Sequence, residues 1–142
     1  VILVDASVAA KWLLPEPGSE AAIDLISGPD LLFAPALIRI EVLAAITRST
    51  RMGEASGRES LARCEKWLHY LDDGAVSLVP DTALLADAVD LALSLKHPLQ
   101  DCLYLAAAKN MKGRLVTADP TFAKRAKANY EHVEMLAGCE SH

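Results

Sequence analysis

Val1-Ile2-Leu3-Val4-Asp5-Ala6-Ser7 opens the chain, and its reading decides the fold. Four consecutive large apolar residues present no wet face, so a strand made of them must be covered on both sides, as central strands of parallel sheets are. The strand stops at a carboxylate. Residues 8–14, rich in Ala and Leu, then read as a helix with Ser7 as its N-cap and Pro15 as its stop. Asp5 therefore falls at the carboxyl end of a buried strand, the edge where open α/β sheets bind ligands. An aspartate there also serves to cap the next helix, and the residue alone does not choose between the two roles.

The same design returns near the other end of the chain. Arg114-Leu115-Val116-Thr117 reads as a strand, Ala118-Asp119-Pro120 follows it, and a helix over 120–128 carries Lys124, Arg125 and Lys127 on one exposed edge. Between the two lie a short helix over 19–27, strands at 31–34 and 76–79, and helices over 36–49, 54–73 and 81–95, with Asp81 as cap of the last. The longest of these predicts an inward stripe of Leu61, Cys64, Leu68 and Leu71, with Trp67 as a packing residue. Residues 132–136 read as a peripheral last strand.

Two acidic residues stand out in this frame. Glu41 has Leu37, Ile38, Ala44 and Ala45 as its helical neighbours, so it interrupts an apolar face. An unpaired buried charge costs several kcal/mol, so Glu41 needs a cation, donors, or a base such as Arg39 or Arg48. Asp101 lies in the first turn of a helix that Gly113 closes, where the helix dipole alone would favour an acid. His69, His97, His132 and His142 have no spaced partner and read as weak ligand candidates.

At 142 residues the chain predicts one domain over 1–142, large enough to bury a core unaided. The composition, 52% hydrophobic with mean hydropathy +0.22, argues for packed helices around a sheet and against disorder. Apolar runs fall far short of the ~20 residues a bilayer needs. No leader pattern opens the chain, and the expectation is a cytoplasmic protein. Cys64, Cys102 and Cys139 fit neither a disulfide framework nor a zinc pattern, so reduced thiols are expected. A net charge of -5 is a poor credential for gripping nucleic acid, but four carboxylates at one cation site would account for most of it.

Asp5 and Asp119 end strands, Glu41 interrupts an apolar helix face and Asp101 opens a helix. A hard divalent ion, Mg²⁺ or Mn²⁺, is the simplest shared cause, because it takes oxygen ligands and offsets the repulsion among carboxylates. Ser7 and Thr117, each two residues from one of the aspartates, add hydroxyls at the same sheet edge.

The ordered set of Val4-Asp5-Ala6-Ser7 with Lys11-Trp12-Leu13-Leu14-Pro15-Glu16, the Glu41-Val42 helix, Asp101-Cys102-Leu103-Tyr104-Leu105-Ala106 and Val116-Thr117-Ala118-Asp119 resembles the PIN-domain ribonucleases, more narrowly the VapC toxins of toxin–antitoxin modules. The resemblance covers essentially the whole chain. It departs at Ala44 and Ala45, near which family members often carry an asparagine. It implies an α/β/α sandwich on a central parallel sheet of four to five strands, with the first and fourth strands adjacent. It also implies Asp5, Glu41, Asp101 and Asp119 as catalytic residues holding Mg²⁺ or Mn²⁺, supported by Ser7 and Thr117. The activity implied is endoribonuclease cleavage leaving a 5′-phosphate and a 3′-hydroxyl, with Arg39, Arg48, Arg51, Arg58, Lys124 and Arg125 as candidate contacts to the RNA backbone. A VapB-like antitoxin would be the partner.

The broadly apolar helix over 81–95 is the expected homodimer contact. Two other readings stay open. One is a PIN-like module that binds RNA or protein without cutting. The other is an aspartyl-nucleophile phosphatase of the haloacid-dehalogenase type, which needs a second acid two residues after Asp5, where this chain has Ser7.

Overall fold

A computed structural model describes residues 1–139. Five strands, β1 (Ile2–Val4), β2 (Leu32–Pro35), β3 (Ser77–Val79), β4 (Arg114–Thr117) and β5 (Val133–Met135), form one sheet in the order β3-β2-β1-β4-β5. Every pairing is parallel. β1 is central and its three residues are fully buried, as its unbroken apolar run requires. The chain steps from β1 to β2 to β3 in one direction and then jumps back to β4 on the other side of β1. That reversal creates a switch point between β1 and β4, where Val4 pairs with Val116.

Helices cover both faces. Right-handed crossovers put α1 (Ala6–Ala9), α2 (Ser19–Ser27), α3 (Ile38–Arg51) and α4 (Gly57–Asp72) on one face, and α5 (Leu85–Leu95), α6 (Leu99–Met111) and α7 (Pro120–Lys127) on the other. On the first face Trp12 lies 6.2 Å from Trp67 and edge-on to Tyr70, and its indole N–H donates to the Ala22 carbonyl at 2.7 Å. On the second face the apolar run Cys102 to Ala108 of α6 is buried across β1, β2 and β4. The result is the expected three-layer sandwich.

Several local expectations need correction. The helix after Asp5 ends at Ala9 and continues only as a 3-10 turn over Ala10–Trp12, and its N-cap is Asp5, not Ser7. Helix α4 buries Ser60 and Trp67, while Leu61 and Leu68 are 63% and 47% exposed, so its inward stripe is rotated from the one expected. The Ser60 hydroxyl is satisfied by Thr50 of α3, which makes a polar residue tolerable there. Asp81 does not cap α5. Its carboxylate accepts the Leu37 N–H at 2.9 Å and so caps α3 from across the chain. The left-handed turn that ends α6 is taken by Lys112 (φ 54), whereas Gly113 lies close against β1, where a Cβ would sit 3.0 Å from Leu3 Cδ2 and 3.1 Å from the Val1 carbonyl oxygen and would push its neighbours aside. The three cysteines are free. His142 lies outside the described residues.

Candidate active site

Asp5 leaves the end of β1 almost wholly buried, and its carboxylate is held by groups from both sides of the switch point. Oδ1 accepts the Ser7 hydroxyl at 2.5 Å and the Val8 backbone N–H at 3.2 Å. Oδ2 accepts the Thr117 hydroxyl. Each hydroxyl in turn accepts a backbone N–H from the turn after β4, Ser7 from Ala118 at 2.9 Å and Thr117 from Asp119 at 3.1 Å. A hydroxyl has one proton, and both protons are committed to Asp5. Among the described residues three hydrogen bonds thus reach the carboxylate, two at Oδ1 and one at Oδ2. Burial pushes the Asp5 pKa up from 3.8 to about 6, against the lowering by these hydrogen bonds, and the charge of Asp101 adds to the rise.

Glu41 lies in the first turn of α3 at the border between its buried face and solvent. Its partner is not an arginine. The Tyr104 hydroxyl of α6 donates to Glu41 Oε1 at 2.5 Å, while the Arg39 Nε–H turns back to the Ala36 carbonyl. Burial raises the Glu41 pKa, the Tyr104 hydrogen bond lowers it, and the charges of Asp101 and Asp81 raise it further. The Tyr104 hydroxyl is driven far above its ordinary range by burial and by the charges of Glu41, Asp5 and Asp101, so it remains a donor.

Asp101 opens α6, and its Oδ2 lies 2.6 Å from His97 Nε2. Asp119 is the N-cap of α7, and its Oδ1 accepts the Thr121 and Phe122 N–H groups at 2.9 and 3.3 Å. The structure therefore brings Asp101 into electrostatic range of both Asp5 and Glu41. Asp119 is joined to Asp5 through the Thr117 hydroxyl, with its own carboxylate engaged at the start of its helix. Among the described residues no lysine or arginine forms an ion pair with any of these four.

A groove of about 560 Å³ runs from Glu41 along α3, lined by Leu14, Glu16, Ala44, Arg48 and Arg51. Arg48 and Arg51 are exposed along it. Arg125 is engaged elsewhere, since its Nη1 donates to the Lys96 carbonyl at 3.0 Å and approaches His97 Nδ1 at 3.1 Å. Among the described residues no three His, Cys, Asp or Glu side chains make a ready-formed ion cage. A hydrated Mg²⁺ does not need one, because it keeps several waters and takes one or two carboxylates together with substrate phosphates. An Asp5 carboxylate held as an acceptor, with the charge of Asp101 near enough to raise its pKa, fits that mode of binding.

Sequence reasoning missed two participants. Tyr104 stands three residues after Asp101, a hydroxyl on the same side of an otherwise apolar helix, and that spacing was the available signal. His97 stands four residues before Asp101 and is buried, although it reads in the sequence as an isolated histidine.

A parallel sheet with acidic groups gathered at the carboxyl end of its switch point is the architecture of a ligand-binding or catalytic α/β domain. The family model described as "PIN domain" matches residues 2–128, and the chain belongs to the PIN-domain family. No curated protein matches it in sequence. A toxin–antitoxin complex from Klebsiella pneumoniae superposes with TM-score 0.67 at 15% identity, over 94% of this chain and 96% of that one. FitAcB from Neisseria gonorrhoeae gives 0.62 at 17% identity, over 99% and 100%. The Mycobacterium tuberculosis toxin VapC20, described as cleaving the sarcin–ricin loop, gives 0.60 at 16% identity, over 92% and 96%. At these identities the likeness concerns the fold.

Proposed function

We propose that the protein is a metal-dependent endoribonuclease, the toxin of a VapC-type toxin–antitoxin pair, acting as a single PIN domain over residues 1–142. The observation that carries this reading is the buried Asp5 carboxylate, held as an acceptor by Ser7, Val8 and Thr117 and close enough to the charge of Asp101 for its pKa to be raised, with no lysine or arginine among the described residues in an ion pair with either. Asp5, Glu41, Asp101 and Asp119 would hold one or two Mg²⁺ or Mn²⁺ ions. When bound, such an ion polarises the scissile phosphate and activates water, leaving a 5′-phosphate and a 3′-hydroxyl.

The chain's own groups supply orientation and charge. Ser7 and Thr117 hold Asp5 as an acceptor, Tyr104 holds Glu41, and Arg48 and Arg51 line a groove of about 560 Å³ where they would contact an RNA backbone. The net charge of -5 is no obstacle once the carboxylates are neutralised by ions. Arg39, Lys124 and Arg125 are weaker candidates for phosphate contact, Arg125 because its guanidinium already serves His97 and Lys96.

A VapB-like antitoxin is the proposed partner, supported by the fold shared with a chain of a toxin–antitoxin complex. A homodimer through α5 is supported by the exposure of Leu85, Val89 and Leu93. A cytoplasmic site of action accords with the RNA substrate, and no described helix is long and apolar enough to cross a membrane. The test is cleavage of RNA by the wild-type protein, by Asp5→Ala and Asp119→Ala, and by the wild type with chelator. Cleavage is expected only from the untreated wild type. Cutting that persists in the variants and in chelator would overturn the reading.

A further inference from the structure

His97 lies between α5 and α6 with its side chain only 4% exposed, and every polar atom of its ring is engaged. Nε2 is 2.6 Å from Asp101 Oδ2, Nδ1 is 3.1 Å from Arg125 Nη1, and the ring stacks on Phe122 with centroids 5.1 Å apart and planes at 18°. A guanidinium has N–H donors and no acceptor, so Nδ1 must offer its lone pair to Arg125. The ring proton is then on Nε2 and is donated to Asp101.

We propose that His97 is a positioning residue for Asp101, fixed as the Nε2–H tautomer by Arg125 and Phe122, and that this relay holds the Asp101 carboxylate in place for a divalent cation. The inference rests on the reading of Asp101 as part of a cation site. Alone, a partly exposed carboxylate at a helix start is free to change rotamer. Here its donor belongs to a ring clamped on one face by Phe122 and on one edge by Arg125, both carried by α7. Because α7 starts at Asp119, the same helix that places Asp119 also fixes the ring behind Asp101. Partners that orient ligating carboxylates typically change metal affinity by about 10–100-fold when lost.

The experiment uses the full chain and Mn²⁺ alone as probe. His97→Phe keeps the stacked ring and removes both hydrogen bonds. His97→Gln retains a donor for Asp101 and an acceptor for Arg125. Calorimetric titration is expected to give Mn²⁺ affinity about tenfold or more weaker for His97→Phe, with recovery toward wild type for His97→Gln. Nitrogen NMR of the wild-type protein is expected to give the Nε2–H pattern for His97, and that pattern is expected to be lost in Arg125→Met. Unchanged Mn²⁺ affinity in a folded His97→Phe, or an Nδ1–H pattern in the wild type, overturns the assignment. The NMR result decides even if His97→Phe fails to fold. Mn²⁺ binding with the expected His97 dependence but no RNA cleavage by the wild type would defeat the nuclease reading and leave this one standing.

Discussion

Replacing Asp5 by Asn should inactivate the protein and make it more stable. The folded protein raises the Asp5 pKa from 3.8 to about 6, chiefly by burial. Because the folded value lies above the unfolded one, the native state takes up a proton between those pH values. Stability therefore falls as pH rises through that window, and the loss is complete above it. At 1.36 kcal/mol per pH unit, the ionised carboxylate destabilises the fold by about 3 kcal/mol at neutral pH. Asn is an equally good N-cap. Its carbonyl keeps the Ser7 and Val8 donors, but its amide requires the Thr117 hydroxyl to turn, at a cost of about 1 kcal/mol. The net gain is about 2 kcal/mol, or roughly 6 °C in Tm for a chain of this size. Thermal unfolding of wild type and Asp5→Asn with chelator, at pH 7.5 and pH 4, measures it. The gain should be present at pH 7.5 and absent at pH 4, and Mn²⁺ should narrow it by stabilising only the wild type. A variant that melts below the wild type at pH 7.5, with wild-type stability flat between pH 4 and 6, would refute the reasoning and reduce Asp5 to a helix cap.

Tyr104→Phe removes the hydroxyl that holds the Glu41 pKa down. The acid limb of the cleavage pH profile should therefore move to higher pH, with a stability loss of about 1 kcal/mol. Asp81→Ala strips α3 of its cap and should lower the urea midpoint by an amount equivalent to about 1 kcal/mol, with no change in slope. Trp67→Ala should cost about 3–5 kcal/mol, whereas Leu61→Ala should stay within about 0.5 kcal/mol. Equal effects in that last pair would mean that α4 turns its other face inward.

The sheet was legible because its strands obey a local rule. Val1 to Val4 is apolar throughout and so must be central, and Arg114–Thr117 was bounded by a glycine before and an aspartate after. The same rule located Asp5 and Asp119 at the carboxyl edge. Helix α4 was legible as a helix but not in its rotation, because 61-64-68-71 and 60-64-67-71 both satisfy a 3.6-residue period. The choice was made by the Ser60–Thr50 hydrogen bond and by the room for Trp67 beside Trp12. Glu41 was recognisable as a carboxylate in need of a partner. Tyr104 as that partner was not, because the two are 63 residues apart and no periodicity links different helices. His97 escaped for the same reason, since its burial depends on Phe122 and Arg125, which arrive with the last helix.

The position of β1 has a consequence for biosynthesis. Of the five described strands the earliest in the chain is the middle one of the sheet, and the edge of it that β4 fills has no partner until Arg114–Thr117 has been translated. Only then does Thr117 deliver its hydroxyl to Asp5 across 112 positions of chain. A nascent chain arrested before that strand should lack the completed Asp5 environment, and arrested-translation products should show no cleavage when assayed on RNA.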